Sequence, residues 1–261
     1  MSEFDDATAV LDDGTCTVHD GWDIGGNANG GYLMALAAQG LRRVAGRPDP
    51  VTVTGHYLSP GRPGPARVEA AVVKSGRRFT TVTGCLHGTN APLVQLLATF
   101  GDLSQPPAGF QHMAGGPPDL PPFDECVQRT GNAAVPVALM DRLAVRLHPD
   151  HVGFVDGVRR SEAEMAGWFA FADGRPVDTL GLLLACDAFP PAVFQLDMPA
   201  GWVPTLELTV HVRAVPAPGP VRGVFRSRFV QGGFLDEEGE VWDSAGRLVA
   251  QSRQLGLTPL G

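Results

Sequence analysis

An α+β fold of two related halves, each an antiparallel sheet wrapped around a central helix, is predicted by three observations on the sequence. Residues Ser104 to Pro122 are rich in Pro and Gly with little apolar periodicity, the composition of a linker running over a surface. On each side one apolar helical segment precedes four strand-like segments, and such a helix is buried by a sheet that curves around it. The halves also overlay. A shift of 155 residues carries His56 onto His211 and Thr99 onto Gln254, and a shift of 148 carries Gln39 onto Asp187, leaving seven extra residues after the second helix. This pattern implies an internal duplication. The expected division is 1–103 for the first domain, 104–131 for the linker and 132–261 for the second domain, with the two sheets joined into one surface.

In chain order, Cys16 to Ile24 read as a strand and lead through a glycine-rich turn into a helix over Gly31–Val44. Its apolar residues Leu33, Met34, Leu36, Ala37, Leu41 and Val44 keep a helical period. Val51–Leu58, Ala66–Val73, Arg78–His87 and Leu93–Phe100 then read as strands. In the second half Val137–Leu147 and Glu164–Phe171 are strand-like. A helix is predicted over Thr179–Phe189, capped by Asp178 or Thr179 and ended by Pro190. Leu206–Val215, Val221–Val230, Gly233–Asp243 and Arg247–Leu257 complete the set.

Composition narrows the function classes. Of 261 residues, 44% are hydrophobic and 18% charged, which suits a packed globular protein. No run of residues suits a membrane span, and Met1 to Asp13 are acidic where a secretory signal would be basic and then apolar. A cytoplasmic placement without membrane insertion is expected. The net charge of −8 argues against nucleic acid as a partner. Cys16, Cys85, Cys126 and Cys186 are scattered with no CxxC pair, so buried free thiols are expected rather than disulfides or zinc. There is no GxSxG, P-loop or HExxH, and Gly25–Leu36 does not match GxGxxG. His148 and His151 lack a third ligand and read as a surface loop. Asp236, Glu237, Glu238 and Glu240 lack calcium-loop spacing and read as a solvated hairpin turn. No metal and no cofactor are expected.

Four places could carry chemistry. In "LGLLLACDAF" Asp187 is the only ionisable residue of an otherwise apolar helix. Burial and the helix C-terminus both disfavour its charge and should raise its pKa; a structural pairing with Arg213 or Arg228 is the alternative. Gln254 shares a face of the last strand with Leu248, Ala250 and Ser252, a small, largely apolar face suited to the core, where an amide needs partners; a buried Gln that satisfies backbone groups is the alternative. Thr205 falls on the polar face of its strand with Glu207, Thr209 and His211, unless a bulge re-aims it. Gly30 and Gly31 open the first helix, where bare amides and the helix dipole could receive an anion or an oxyanion; a turn capped by Asn29 is the alternative.

At these residues the chain resembles the bacterial thioesterase II family of acyl-CoA thioesterases, among the double-hotdog proteins, over nearly its whole length in element order. The likeness is strongest in "LLLACDAFPPAVFQL", "PTLELTVHVRAV" and "GGFLDEEGEVWDSAGRLVAQSRQLG", with "WDSAGRLVAQSRQ" the most specific part. The resemblance implies a double hotdog in which an Asp, a Thr and a Gln hold the attacking water; these fall on Asp187, Thr205 and Gln254. The first half offers only Gln39 and Thr99 at the matching places, so one site per chain is expected. The implied reaction is hydrolysis of an acyl-CoA or acyl-carrier thioester, in fatty acid metabolism, by general-base activation of water. Amides such as those of Gly30 or Gly31 would stabilise the oxyanion, and no covalent intermediate is required. The resemblance also implies a homo-oligomer. The competing reading is a hotdog protein that binds acyl-CoA or an acyl carrier without turnover. A hydratase would pair Asp with His, and that pattern is not found.

Overall fold

The computed structural model describes residues 2–104, 109–130, 136–199 and 201–259. A short helix α1 (Glu3–Ala7) and strand β1 (Thr15–Val18) precede the small hairpin β2 (Asp23–Ile24) and β3 (Asn27–Ala28). The long helix α2 (Gly30–Ala45) follows, then β4 (Asp49–Tyr57), β5 (Gly64–Ser75), β6 (Thr80–His87) and β7 (Pro92–Gly101). The second half holds β8 (Val127–Gln128), β9 (Leu143–Leu147), β10 (Glu164–Phe171), the short helix α3 (Gly181–Ala185) and β11 (Thr205–Val212). It ends with β12 (Val221–Arg226), β13 (Val230–Gln231), β14 (Phe234–Trp242) and β15 (Leu248–Leu257). Of the expected linker, residues 109–122 carry no helix or strand, while 105–108 and 131 lie outside the described residues.

The sheets of the two halves are joined, as expected, into one continuous antiparallel surface of thirteen strands. Its order is β1-β5-β6-β7-β4-β11-β15-β14-β12-β10-β9-β8, with β13 beside β14. The halves meet where β4 pairs with β11. There Thr54 lies opposite Thr209, and their hydroxyls are 2.9 Å apart. His56 faces Glu207 while His211 faces Thr52. All these residues are related by the same shift of 155, so the register of this seam has the two-fold relation that a duplication requires. The shift fails in the last strand. Thr99 lies between buried Ala98 and Phe100 and reaches the Thr81 hydroxyl, whereas Gln254 is itself buried between exposed Arg253 and Leu255. The two side chains therefore point to opposite sides of the sheet.

Helix α2 packs on β4, β5, β6 and β7, with Leu33, Met34, Leu36, Ala37 and Leu41 fully enclosed. Asn29 caps it by accepting the Tyr32 N–H at 2.9 Å, and Gly46, with φ of 61°, ends it in the left-handed region. Arg42 and Arg43 occupy the last turn, where the dipole favours cations.

The second helix is much shorter than expected, five residues instead of Thr179–Phe189. Leu180 rather than Asp178 or Thr179 holds its N-cap position, and Asp178, earlier in the turn that leads into the helix, accepts the Gly181 N–H at 2.7 Å. It ends early because the Asp187 N–H turns back to the Leu184 carbonyl, three residues behind, and Pro190 and Pro191 then offer no N–H to continue. Val137–Leu147 is only half strand: Ala138–Asp141 form a single 3₁₀ turn that buries Leu139. The acidic run is not a hairpin turn but part of β14, with Asp236 and Glu237 buried. His151 is not on the surface; it is buried, and its Nδ1 accepts the Ala166 N–H at 2.9 Å. The four cysteines are buried free thiols. Among the described residues no helix is long and apolar enough to cross a membrane.

Candidate active site

The premature end of α3 places Asp187 against the first turn of α2. Its Oδ2 accepts the Gly31 N–H at 2.7 Å and the Asn29 Nδ2–H at 2.9 Å; the same Asn29 amide donates to the Asp187 backbone carbonyl at 3.0 Å. The helix therefore points its dipole and its free amides at the carboxylate. The two glycines are required by proximity. A Cβ on Gly31 would lie 2.8 Å from the Asp187 Cβ and 3.0 Å from the Leu183 carbonyl; one on Gly30 would lie 3.0 Å from Asp187 Oδ2. The sequence-based expectation of bare amides at Gly30 and Gly31 is corrected here, since the carboxylate already occupies them.

The arginine pairing considered for Asp187 is not seen: Arg228 bonds Glu238 on the outer surface, and among the described residues no cation reaches Asp187. Desolvation pushes the Asp187 carboxyl up to about 6, against the Gly31 amide, the Asn29 side chain and the Gly30 amide, which favour its ionised form. Some of its surface stays accessible, as a group meeting a substrate requires.

Gln254 and Thr205 are brought together. The Gln254 Nε2–H donates to Thr205 Oγ1 at 2.7 Å. Strict alternation would send Thr205 to the outer face with Glu207. A bulge intervenes: Thr205 pairs with Gly256 and Glu207 with Leu255, so Leu206 is the extra residue and Thr205 turns toward Gln254. The pair lies toward Asp187. Glu237, opposite Gln254 on β14, lies within electrostatic reach of Asp187. A carboxylate of raised pKa beside a hydroxyl and an amide can hold a water and take its proton.

Comparison with known proteins bears on the family and the fold. Residues 18–101 match the acyl-CoA thioesterase N-terminal domain, and residues 117–258 match the acyl-CoA thioesterase C-terminal domain. The chain belongs to the thioesterase II-like family of acyl-CoA thioesterases. A candidate thioesterase II of Thermobifida fusca superposes with a TM-score of 0.89 at 31% identity, over 100% of this chain and 98% of that one. A hot dog fold protein of unknown function from Alicyclobacillus acidocaldarius superposes at 0.88 with 25% identity, over 100% and 99%. An uncharacterized protein of Mycobacterium tuberculosis H37Rv is 28% identical, over 94% of this chain and 92% of its own length.

Within this member of the family, three further residues border the site without having stood out in the sequence. Asn29, which the sequence pattern marks as a cap, also donates its amide to Asp187. Tyr57, on β4, donates its hydroxyl to the Gly30 carbonyl at 2.9 Å and so steadies the first turn of α2; burial and the nearby Asp187 hold its pKa well above the usual phenol value. Glu237 accepts the Ala192 N–H at 2.6 Å, and desolvation pushes it up to about 7. No signal in the sequence separates Glu237 from the acidic residues around it, since Asp236 beside it is buried as well.

Proposed function

We propose that the protein hydrolyses an acyl-CoA or acyl-carrier thioester to a free acid and a thiol, with Asp187 as general base. The observation that carries this reading is the placement of one carboxylate, with no cation beside it among the described residues, at the N-terminus of α2, within electrostatic reach of Glu237, the strand neighbour of Gln254, which is hydrogen-bonded to Thr205. Asp187 takes a proton from water while Thr205 and Gln254 orient the water toward the thioester carbon. The C–S bond breaks as the thiolate leaves, so no covalent enzyme intermediate is needed. Gly30 and Gly31 hold the base in this scheme, because their amides point at Asp187, and oxyanion binding falls to donors on the other side of the water, of which the second Gln254 N–H is one.

The same reading takes each half, 1–103 and 132–261, as a hotdog unit joined by 104–131, and gives the molecule one site, built from both units. It also includes assembly into a homo-oligomer and a cytoplasmic substrate of fatty acid metabolism. Free thiol release from a panel of acyl-CoAs of increasing chain length tests it. Turnover of at least one member is the expected result, with kcat/KM rising with pH through about 6 as Asp187 ionises. Binding of the panel with no thiol release would instead establish a non-catalytic acyl-CoA binder.

A further inference from the structure

We propose that Glu237 is a second carboxyl group of this site, a positioning residue that stays protonated beside ionised Asp187 so that the pair carries one negative charge. The proposal rests on the hydrolase reading above for its kinetic consequence, but not for its structural one.

The geometry comes from three elements. Glu237 on β14 lies opposite Gln254 on β15, whose other neighbour is Leu208 on β11, and all three are buried on one face of the sheet. Gln254 is thus held between an apolar side chain and a carboxyl. Glu237 Oε2 accepts the Ala192 N–H, and Ala192 opens the 3₁₀ turn Ala192–Gln195, five positions beyond Asp187. The carboxyl therefore fastens the loop that carries Asp187 to the strand next to Gln254. Among the described residues neither carboxyl has a cation. The nearby arginines serve the outer face, where Arg228 pairs with Glu238 and Arg253 approaches Asp236.

Two buried carboxyls within electrostatic reach cannot both ionise without cost. Asp187 has the Gly31, Asn29 and Gly30 donors to support a charge, whereas Glu237 has the Ala192 N–H. The proton thus belongs on Glu237. Burial raises it to about 7, and the charges of Asp187 and Asp236 add to that. The other titratable groups around Asp187 are Cys186 after α3 and Tyr57 on β4, with Glu207 on β11 near Tyr57; none is cationic. Once Glu237 ionises, a second negative charge faces the forming oxyanion and opposes it.

Glu237→Gln tests this, since the amide oxygen can still accept the Ala192 N–H while the titration is gone. For the wild type, kcat/KM should fall ~tenfold between about pH 7 and about pH 9. The variant should keep the acid limb set by Asp187 and lose that alkaline fall. Identical profiles would overturn the proposal. A second readout does not need turnover. A carboxyl whose folded pKa is raised contributes stability that is present below its unfolded value and lost as pH rises through about 7. The melting temperature of Glu237→Gln relative to wild type should therefore climb between about pH 5 and about pH 8. A difference that stays flat would also overturn the proposal, even if no thioester is hydrolysed. Should the variant not fold, carboxyl NMR of glutamate-labelled wild type and Asp187→Asn decides. One glutamate should titrate near 7 in the wild type and at lower pH in Asp187→Asn; no such signal sinks the idea.

Discussion

At the scale of single residues, Asp187 is a charge kept in a place that resists it. Its folded pKa, about 6, exceeds its ordinary value of 3.8. The sign of the linkage follows. The protonated form is favoured by folding, so the stability this group contributes is fully present below about pH 4 and is lost as pH rises through about 6. The loss is on the order of 3 kcal/mol. Thermal melts across that window should show wild type losing melting temperature more steeply than Asp187→Asn, and parallel curves would contradict the buried-carboxylate account. Asp187 and Gln254 stand out in the sequence because each is a polar residue on a largely apolar face. Asn29, Tyr57 and Glu237 do not. Asn29 already had a sufficient explanation as a cap, Tyr57 is one aromatic at a strand end, and Glu237 sits among four acidic residues that look like solvated charge.

At the scale of elements, the site depends on two local irregularities. One is the close approach of α3 to α2, which leaves no room for a side chain at Gly31. Gly31→Ala would put a methyl group 2.8 Å from the Asp187 Cβ and 3.0 Å from the Leu183 carbonyl oxygen. The backbone there cannot swing aside like a flexible side chain, so about 1–3 kcal/mol of stability should be lost. Urea denaturation would show it, and an unchanged midpoint would mean that the two helices are not fixed at this distance. The other irregularity is the bulge at Leu206, which turns Thr205 inward. Period-two alternation placed Thr205 with Glu207 on the polar side, and one extra residue reverses that assignment. A bulge leaves no signature in composition, which is why the strand was legible and the direction of Thr205 was not. The length of α3 was misjudged for a related reason. Apolar character continues through Phe189, but the backbone has already turned at Asp187.

At the scale of the whole molecule, the sheet joins the two halves across the Thr54–Thr209 seam, and the proposed site draws on both. The first half supplies the N-terminus of α2; the second supplies Asp187, Thr205 and Gln254. Most strands could be placed from the sequence because alternation and turn residues bound them well, and Glu164–Phe171 was located to the residue. The duplication was legible at the seam, where the shift of 155 holds, and misleading in the last strand, where an odd displacement reverses the facing of Thr99. The central claim is that the molecule holds Asp187 to activate water rather than to tie the halves together. The most direct test measures kcat and acyl-CoA binding for Asp187→Asn on folded protein. For Asp187→Asn kcat should fall ~10²–10⁴-fold while the acyl-CoA still binds, because the shape is kept and the base removed. An Asn variant that melts early yet keeps full activity per folded molecule would contradict that claim.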